Sequence, residues 1–361
     1  MNLKRPPLYE HHRQLGAKLV EFNGWEMPLQ YAGILEEHHA VRENVGVFDV
    51  SHMGQIDISG ESAFDLVQYL VPNDASKLDI DQAMYTQLCN ADGGTLDDLL
   101  VYRLPDRYLM VVNAGTTDED LQWVQRHAAE FEGANVRDAS AAYSMIAVQG
   151  PEAEATLGRH IQADLSRLTL FRAVETELEK QPVVVSRTGY TGEDGFEVMG
   201  PPDAIVALWK GLMKAEATPI GLGARDTLRF EAALPLYGHE LDEETTPVEA
   251  GLGWSVKDKD VSYIGKDVLL RQKREGGRKR LVGFRMLDRG VPREGYALHR
   301  DGQEAGYVTS GMKSPTLDAF LGMGYLEGSE RPPEGTEIGV EMRGKRRRAE
   351  VVKLPFYRRS D

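Results

Sequence analysis

The chain has 361 residues, 41% of them hydrophobic and 27% charged, with a formal net charge of −15. That is the composition of an ordinary globular protein long enough for two or three domains, and no run of about 18 apolar residues is available to span a membrane. Residues 1–270 hold 22 Lys+Arg against 44 Asp+Glu and residues 271–361 hold 20 against 13, so the acidic body argues against nucleic acid as the main partner. A single cysteine, Cys89, excludes an internal disulfide. The start, Met1-Asn-Leu-Lys-Arg-Pro-Pro7, carries neither an apolar signal core nor an Arg/Ser-rich transit segment, and the expectation is a cytoplasmic protein.

Pro7–Gly16 reads as a short helix closed by glycine. Gly24 and Pro28 mark irregular backbone around Trp25 and Met27. Ile34–Glu43 is helical by apolar spacing, and a strand at Val47–Val50 ends in Ser51-His-Met-Gly54 and resumes at Gln55–Ser59. Glu61–Leu70 is an amphipathic helix with Phe64, Leu66, Val67 and Leu70 inward. Met84–Leu88, Thr95–Arg103 and Tyr108–Asn113 form a three-stranded meander, its first turn the Asn90-Ala-Asp-Gly-Gly94 stretch, where paired glycines accept positive φ. Alternation places Asp98 with Leu96, Leu100 and Tyr102, and Asp97 with Leu99, Val101 and Arg103. Both faces carry apolar residues, so the strand is expected to be central and both carboxylates shielded from bulk water. A carboxylate there is paired, hydrogen-bonded or functional. Asp98 capping a turn or pairing with a structural arginine is the alternative to a functional role.

Thr117–Glu130 reads as a helix, Tyr143–Gln149 as a strand and Glu152–Leu157 as a helix. Pro182–Arg187 and Phe196–Met199 are strands around the turn Thr188-Gly-Tyr-Thr-Gly-Glu-Asp-Gly195, which presents Tyr190 at its tip and Glu197 on the return strand. That turn lacks dinucleotide spacing and the Gly-Lys-Ser/Thr of a P-loop. After a helix at Pro202–Ala215, Gly221-Leu-Gly-Ala-Arg225 opens another, with Arg225 and Arg229 one turn apart. Arg225 near a helix start opposes the macrodipole, so a bound carboxylate or a facing glutamate is expected. The glycine-broken run 271–280 reads as a charged linker. Beyond it, short alternating strands at 281–286, 304–310, 319–325, 337–342 and 348–352 predict an all-β barrel or sandwich. Arg343-Gly-Lys-Arg-Arg-Arg348 is either a solvated hairpin tip or a surface that meets an acidic protein.

No His-x-x-x-His or Cys-x-x-Cys supports a metal site, and no Gly-x-Ser-x-Gly supports a hydrolase elbow. Several words in order carry a resemblance instead: Gly24-Trp-Glu-Met-Pro28, Phe48-Asp-Val-Ser-His-Met-Gly54, Gly93-Gly-Thr-Leu-Asp-Asp-Leu99, Ser186-Arg-Thr-Gly-Tyr-Thr-Gly-Glu-Asp-Gly-Phe-Glu197, Gly223-Ala-Arg-Asp226, Pro247-Val-Glu-Ala-Gly-Leu-Gly-Trp254, Thr309-Ser-Gly311 and Lys353-Leu-Pro-Phe-Tyr357. From end to end the chain resembles the aminomethyltransferases, the T-protein family of the glycine cleavage system.

The resemblance implies an α+β, three-lobed T-protein fold: two mixed α/β lobes within residues 1–270 around a central folate channel, the linker at 271–280, and a C-terminal β-barrel domain at 281–361. It implies transfer of a one-carbon unit from the aminomethyl-dihydrolipoyl arm of the H-protein to tetrahydrofolate, a co-substrate, with no metal and no flavin. Asp98 matches the family's catalytic aspartate. Tyr85, Tyr102, Asn113, Tyr190 and Tyr237 match positions lining the folate channel, Glu197 the acid that meets the pterin ring, and Arg225 the folate-binding arginine. Two other readings share the fold: a folate-dependent demethylase of a free small molecule, and a non-transferase folate-binding protein of iron–sulfur maintenance. The second type depends on a cysteine-bearing signature that this chain lacks.

Overall fold

The structure is a computed structural model that describes residues 3–359. Its first part carries α1 (Tyr9–Gln14), β1 (Lys18–Phe22), β2 (Trp25–Gln30), α2 (Ile34–Glu43), β3 (Gly46–Asp49), β4 (Gly54–Ser59), α3 (Ala63–Leu70), β5 (Gln82–Cys89), β6 (Thr95–Arg103) and β7 (Tyr108–Val112). Then come α4 (Thr117–Ala128), β8 (Asn135–Asp138), β9 (Ser144–Gln149), α5 (Ala153–Leu157), β10 (Ala173–Leu178), β11 (Gln181–Ser186), β12 (Gly195–Gly200), α6 (Pro202–Lys214), β13 (Thr218–Ile220) and α7 (Leu222–Glu231). The last part holds α8 (Lys266–Glu275), β14 (Lys279–Met286), β15 (Ala297–Arg300), β16 (Gln303–Lys313), β17 (Phe320–Glu327), β18 (Glu337–Met342) and β19 (Lys345–Val352).

Two mixed α/β lobes and a barrel result, the α+β class expected. One lobe is a five-stranded sheet in the order β5-β6-β7-β4-β8, and the other a six-stranded sheet in the order β10-β11-β12-β9-β3-β13. The six-stranded sheet is antiparallel except where β13 runs parallel to β3. Its apolar face is covered by α5 and α6, which bury Leu157, Ile205, Leu208, Trp209 and Leu212 against Val148, Val185, Phe196 and Val198. The closed barrel runs β14-β17-β16-β15-β18-β19 and is filled by Val282, Phe284, Leu298, Val308, Val340 and Val351. Ala297–Arg300, absent from the sequence reading, supplies its sixth strand.

The chain divides into two compact units, 1–68, 75–85 and 99–226 against 69–74, 86–98 and 227–361. That division passes through β5, β6 and α7. Residues 271–280, expected as a linker, are the second half of α8, a short connection at 276–278 and the start of β14. Gly265 and Gly276, both at positive φ, bound that helix. Leu269 is buried with Cys89, Val248, Val256 and Tyr263, so the charged residues are only its wet face.

Other expectations shift as well. Trp25–Gln30 is the return strand of a two-stranded hairpin with β1, and the irregular backbone expected there is a positive-φ turn at Gly24 and a register irregularity next to Pro28, where a proline costs little ladder bonding. β3 and β4 lie in different sheets, so Ser51–Met53 is a crossover between lobes rather than a break in one strand. Phe64 is 38% exposed, while Leu66, Val67 and Leu70 of the same helix are buried. The basic run 343–348 is the exposed turn and opening of β19.

Candidate active site

In the first unit, two backbone features are built to present side chains. The first is the turn 187–194 between β11 and β12, pinned from below by buried Gln149. Its amide donates to the Thr188 carbonyl at 3.0 Å and accepts from the Thr191 hydroxyl at 2.8 Å. A Cβ on Gly189 would lie 2.0 Å from Gln149 Oε1, so only glycine lets the turn settle onto that amide. Arg42 donates to the Thr191 carbonyl and to Glu193, both at 2.8 Å. The second is the start of α7. Glu37, fully buried, accepts from the backbone N–H groups of Tyr31, Gly33 and Gly221 at 2.6, 3.0 and 2.7 Å. One carboxylate thus fixes the entry to the helix that carries Arg225.

These features bring three of the expected residues together. The Arg225 guanidinium stacks 4.6 Å from the centre of the Tyr190 ring, a cation–π contact. Burial lowers the Arg225 pKa, opposed by Tyr190 and by the negative charge of Glu197. No hydrogen bond or ion pair to the guanidinium occurs among the described residues. Its expected facing glutamate is Glu197, which acts through space rather than by a direct bond. Glu197, on β12 and 6% exposed, has its carboxyl pKa raised by burial, against a hydrogen bond from Thr188 and the charge of Arg225. Oε2 accepts from the Thr188 hydroxyl at 2.5 Å. Oε1 has no hydrogen-bond donor among the described residues.

Tyr102, on β6, is fully buried. Its hydroxyl lies 3.1 Å from Ser186 Oγ and 3.4 Å from Thr188 Oγ1, and those two oxygens are 2.7 Å apart. Burial, then the charge of Glu197, raise the Tyr102 pKa far above the ordinary phenol. Tyr85 and Asn113 are half-buried, on β5 and just after β7.

Sequence reasoning assigned no role to two histidines in this unit. His52, in the Ser51–Gly54 word, is 4% exposed and packs edge-on against Phe22. Its Nδ1 is buried without a hydrogen-bond partner among the described residues. Burial and the nearby charge of Arg225 push its pKa down to about 4, so it is neutral at pH 7. His12 bridges Tyr31 and Asp49, 2.8 Å from each, with Trp209 of α6 packed edge-on against the His12 ring. Nothing near His12 in the sequence hinted at this, because the partners are 19 and 37 residues away.

Asp98 and Tyr237 belong to the second unit. The turn before Asp98 is organised by Asn90 as much as by its glycines. Asn90 Oδ1 accepts from the N–H groups of Asp92 and Gly94, and its amide donates to the Glu243 carbonyl at 3.0 Å. A Cβ on Gly94 would lie 1.7 Å from that carbonyl oxygen. Thr95 then ties β6 to the 242–245 segment through its N–H and its hydroxyl. Along β6 the odd positions Thr95, Asp97, Leu99 and Val101 are buried, whereas Leu96, Asp98 and Leu100 are half-buried. Shielding of both aspartates is thus corrected: Asp97 is sealed at 0% and Asp98 reaches solvent. Tyr237 is half-buried in a turn held by Glu240. That carboxylate pairs with Arg229 at 2.8 Å and accepts from Leu236 N and the Thr309 hydroxyl.

Among the described residues no group of three or more His, Cys, Asp and Glu is placed to hold a metal ion, and no helix is long and apolar enough to cross a membrane.

Residues 8–260 match the GCVT N-terminal domain family and residues 279–358 the glycine cleavage T-protein C-terminal barrel domain. Among curated proteins, aminomethyltransferases of Desulforamulus reducens and Geobacillus kaustophilus are 49% and 48% identical, over 99% of this chain and 99% and 100% of theirs. That of Bacillus subtilis is 45% identical over 99% of this chain and 100% of its own. Among solved structures, the glycine cleavage system aminomethyltransferase T of Bartonella henselae superposes with a TM-score of 0.92 at 36% identity, covering 98% of both chains. On two family matches that together span the described lobes and barrel, the chain belongs to the glycine cleavage T-protein family, a family of aminomethyltransferases.

Proposed function

We propose that this chain transfers the one-carbon unit of an aminomethyl group, carried on the dihydrolipoyl arm of the glycine cleavage H-protein, to tetrahydrofolate. The carbon–nitrogen bond of the aminomethyl group breaks and ammonia leaves. The carbon–sulfur bond to the arm also breaks, leaving reduced lipoyl H-protein, and the carbon joins the two folate nitrogens as 5,10-methylenetetrahydrofolate.

The observation that supports folate best is the pairing of an open acceptor with an open donor. Among the described residues, one carboxylate oxygen of Glu197 has no donor and the Arg225 guanidinium has no acceptor. Each would cost several kcal/mol to bury unsatisfied. The amino and N–H donors of a pterin suit Glu197, and a carboxylate suits Arg225. Tyr190, stacked on Arg225, adds an aromatic face. The family resemblance adds Tyr85, Asn113 and Tyr237 to the residues that serve folate.

Asp98 is the catalytic residue in this reading. As ammonia departs, positive charge grows on the one-carbon unit, and a fixed carboxylate lowers the energy of that state. It also orients the folate amine, which is already nucleophilic, so charge stabilisation and positioning carry more weight than full general-base action.

The test is ammonia release from glycine-loaded H-protein with and without tetrahydrofolate. Folate should accelerate release, and Asp98→Ala should cut turnover by about 10²–10³ while leaving folate affinity within a few-fold. Release indifferent to folate, or folate binding lost together with activity in Asp98→Ala, would contradict these roles. A demethylase of a free small molecule would show itself by turnover without H-protein.

A further inference from the structure

Glu197 is a buried acid that must be charged to receive pterin donors, and burial works against that charge. The structure offers it a row of three buried hydroxyls, the first of them bonded to it directly. Thr188, Ser186 and Tyr102 are 3%, 0% and 0% exposed.

A hydroxyl has one proton to give. The Thr188 proton goes to Glu197 Oε2 at 2.5 Å, so Thr188 Oγ1 can only accept from Ser186, 2.7 Å away. The Ser186 proton is then committed, and Ser186 Oγ accepts from Tyr102 at 3.1 Å. Every proton in the row therefore points toward the carboxylate. The row is also anchored in the backbone, because Ser186 and Glu197 are directly opposed on β11 and β12. Aligned hydroxyls polarise one another, and the last member donates more strongly than it would alone.

We propose that Tyr102, Ser186 and Thr188 form a one-way chain of hydroxyl donors that holds Glu197 as an oriented carboxylate, which makes Thr188, Ser186 and Tyr102 positioning residues for the ligand that Glu197 receives. Tyr102 belongs to the ligand site by way of this chain and not by contact. The charged and titratable groups facing Glu197 are Arg225 on α7 and Tyr102 on β6, and Arg225 stays cationic throughout the working range. What the ligand is rests on the folate reading above. The control of Glu197's charge does not.

The charge of Glu197 can be read in the full-length protein without ligand, from the infrared band of a protonated carboxyl that is missing in Glu197→Gln. Thr188→Val should raise the pH midpoint of that band by at least about one pH unit, a tenfold change in the protonation equilibrium, as expected for losing a hydrogen bond to a charged group. Ser186→Ala and Tyr102→Phe should move it the same way by less, and Thr188→Ser should restore it. Tetrahydrofolate affinity in Thr188→Val should fall near neutral pH and recover as pH is raised. A merely structural role would lower affinity equally at every pH. An unchanged midpoint in folded Thr188→Val overturns the proposal. Should that variant not fold, unchanged midpoints in both Ser186→Ala and Tyr102→Phe overturn it equally. If Glu197→Gln binds tetrahydrofolate like the parent while the midpoints move as stated, the folate reading fails and the hydroxyl chain stands.

Discussion

Arg225 shows how one side chain can be both legible and incomplete in a sequence. Its place behind Gly221 and Gly223 near a helix start announces a cation that needs an anion. What answers it in the fold is a tyrosine face from a turn some 35 residues earlier and the through-space charge of Glu197. Arg225→Ala should weaken tetrahydrofolate binding by about 10–100-fold, the worth of a charge-assisted bond, with kcat at saturating folate changed far less. Titration of folate binding by intrinsic fluorescence checks this, and an unchanged dissociation constant would remove Arg225 from the site. Asp97 and Asp98 teach the complementary lesson. Alternation put them on opposite faces correctly, but both faces held leucines and valines, so only packing could say that Asp97 is the sealed one.

Turns and helices here succeed or fail by their side-chain anchors. The Asn90–Gly94 turn reads as glycine chemistry, yet Gly94 is required for a different reason: its α-carbon lies so close to the Glu243 carbonyl that no methyl fits. Gly94→Ala should therefore displace the turn and cost several-fold or more in activity through Asp98, four residues on. An alanine variant with parental kcat would show the contact to be yielding. Helix α6 is an easier case. Its spacing of Ile205, Leu208, Trp209 and Leu212 declares one buried face, and Trp209→Ala should destabilise by about 3–5 kcal/mol in chemical denaturation. Helix α8 was misread because its polar residues outnumber its apolar ones. One fully buried leucine and two glycines at positive φ were enough to make a helix of what looked like a linker.

Stability of the folded chain should carry the mark of His52. In the unfolded chain it takes a proton near pH 6.5, and in the folded chain only near pH 4. Between those values the unfolded state binds more protons, so stability falls as pH drops from about 6.5 to 4, by up to about 3 kcal/mol from this group, with no further loss below. Urea unfolding of His52→Gln against the parent at pH 7, 5.5 and 4 should show the parent losing more stability on acidification. Equal losses would mean that the imidazole is not held neutral by the fold. In the sequence by itself, the ordered words of the chain carried the family. The alternating strands of the last ninety residues carried an all-β terminal domain, because periodicity and turn chemistry are local and survive in one dimension, while closure into a barrel rather than a sandwich did not show in them. The hydroxyl row behind Glu197, the Tyr31–His12–Asp49 bridge and the sealing of Asp97 were invisible there, since each depends on partners tens of residues away whose meeting is set by how sheets and helices pack, and no local pattern encodes that meeting.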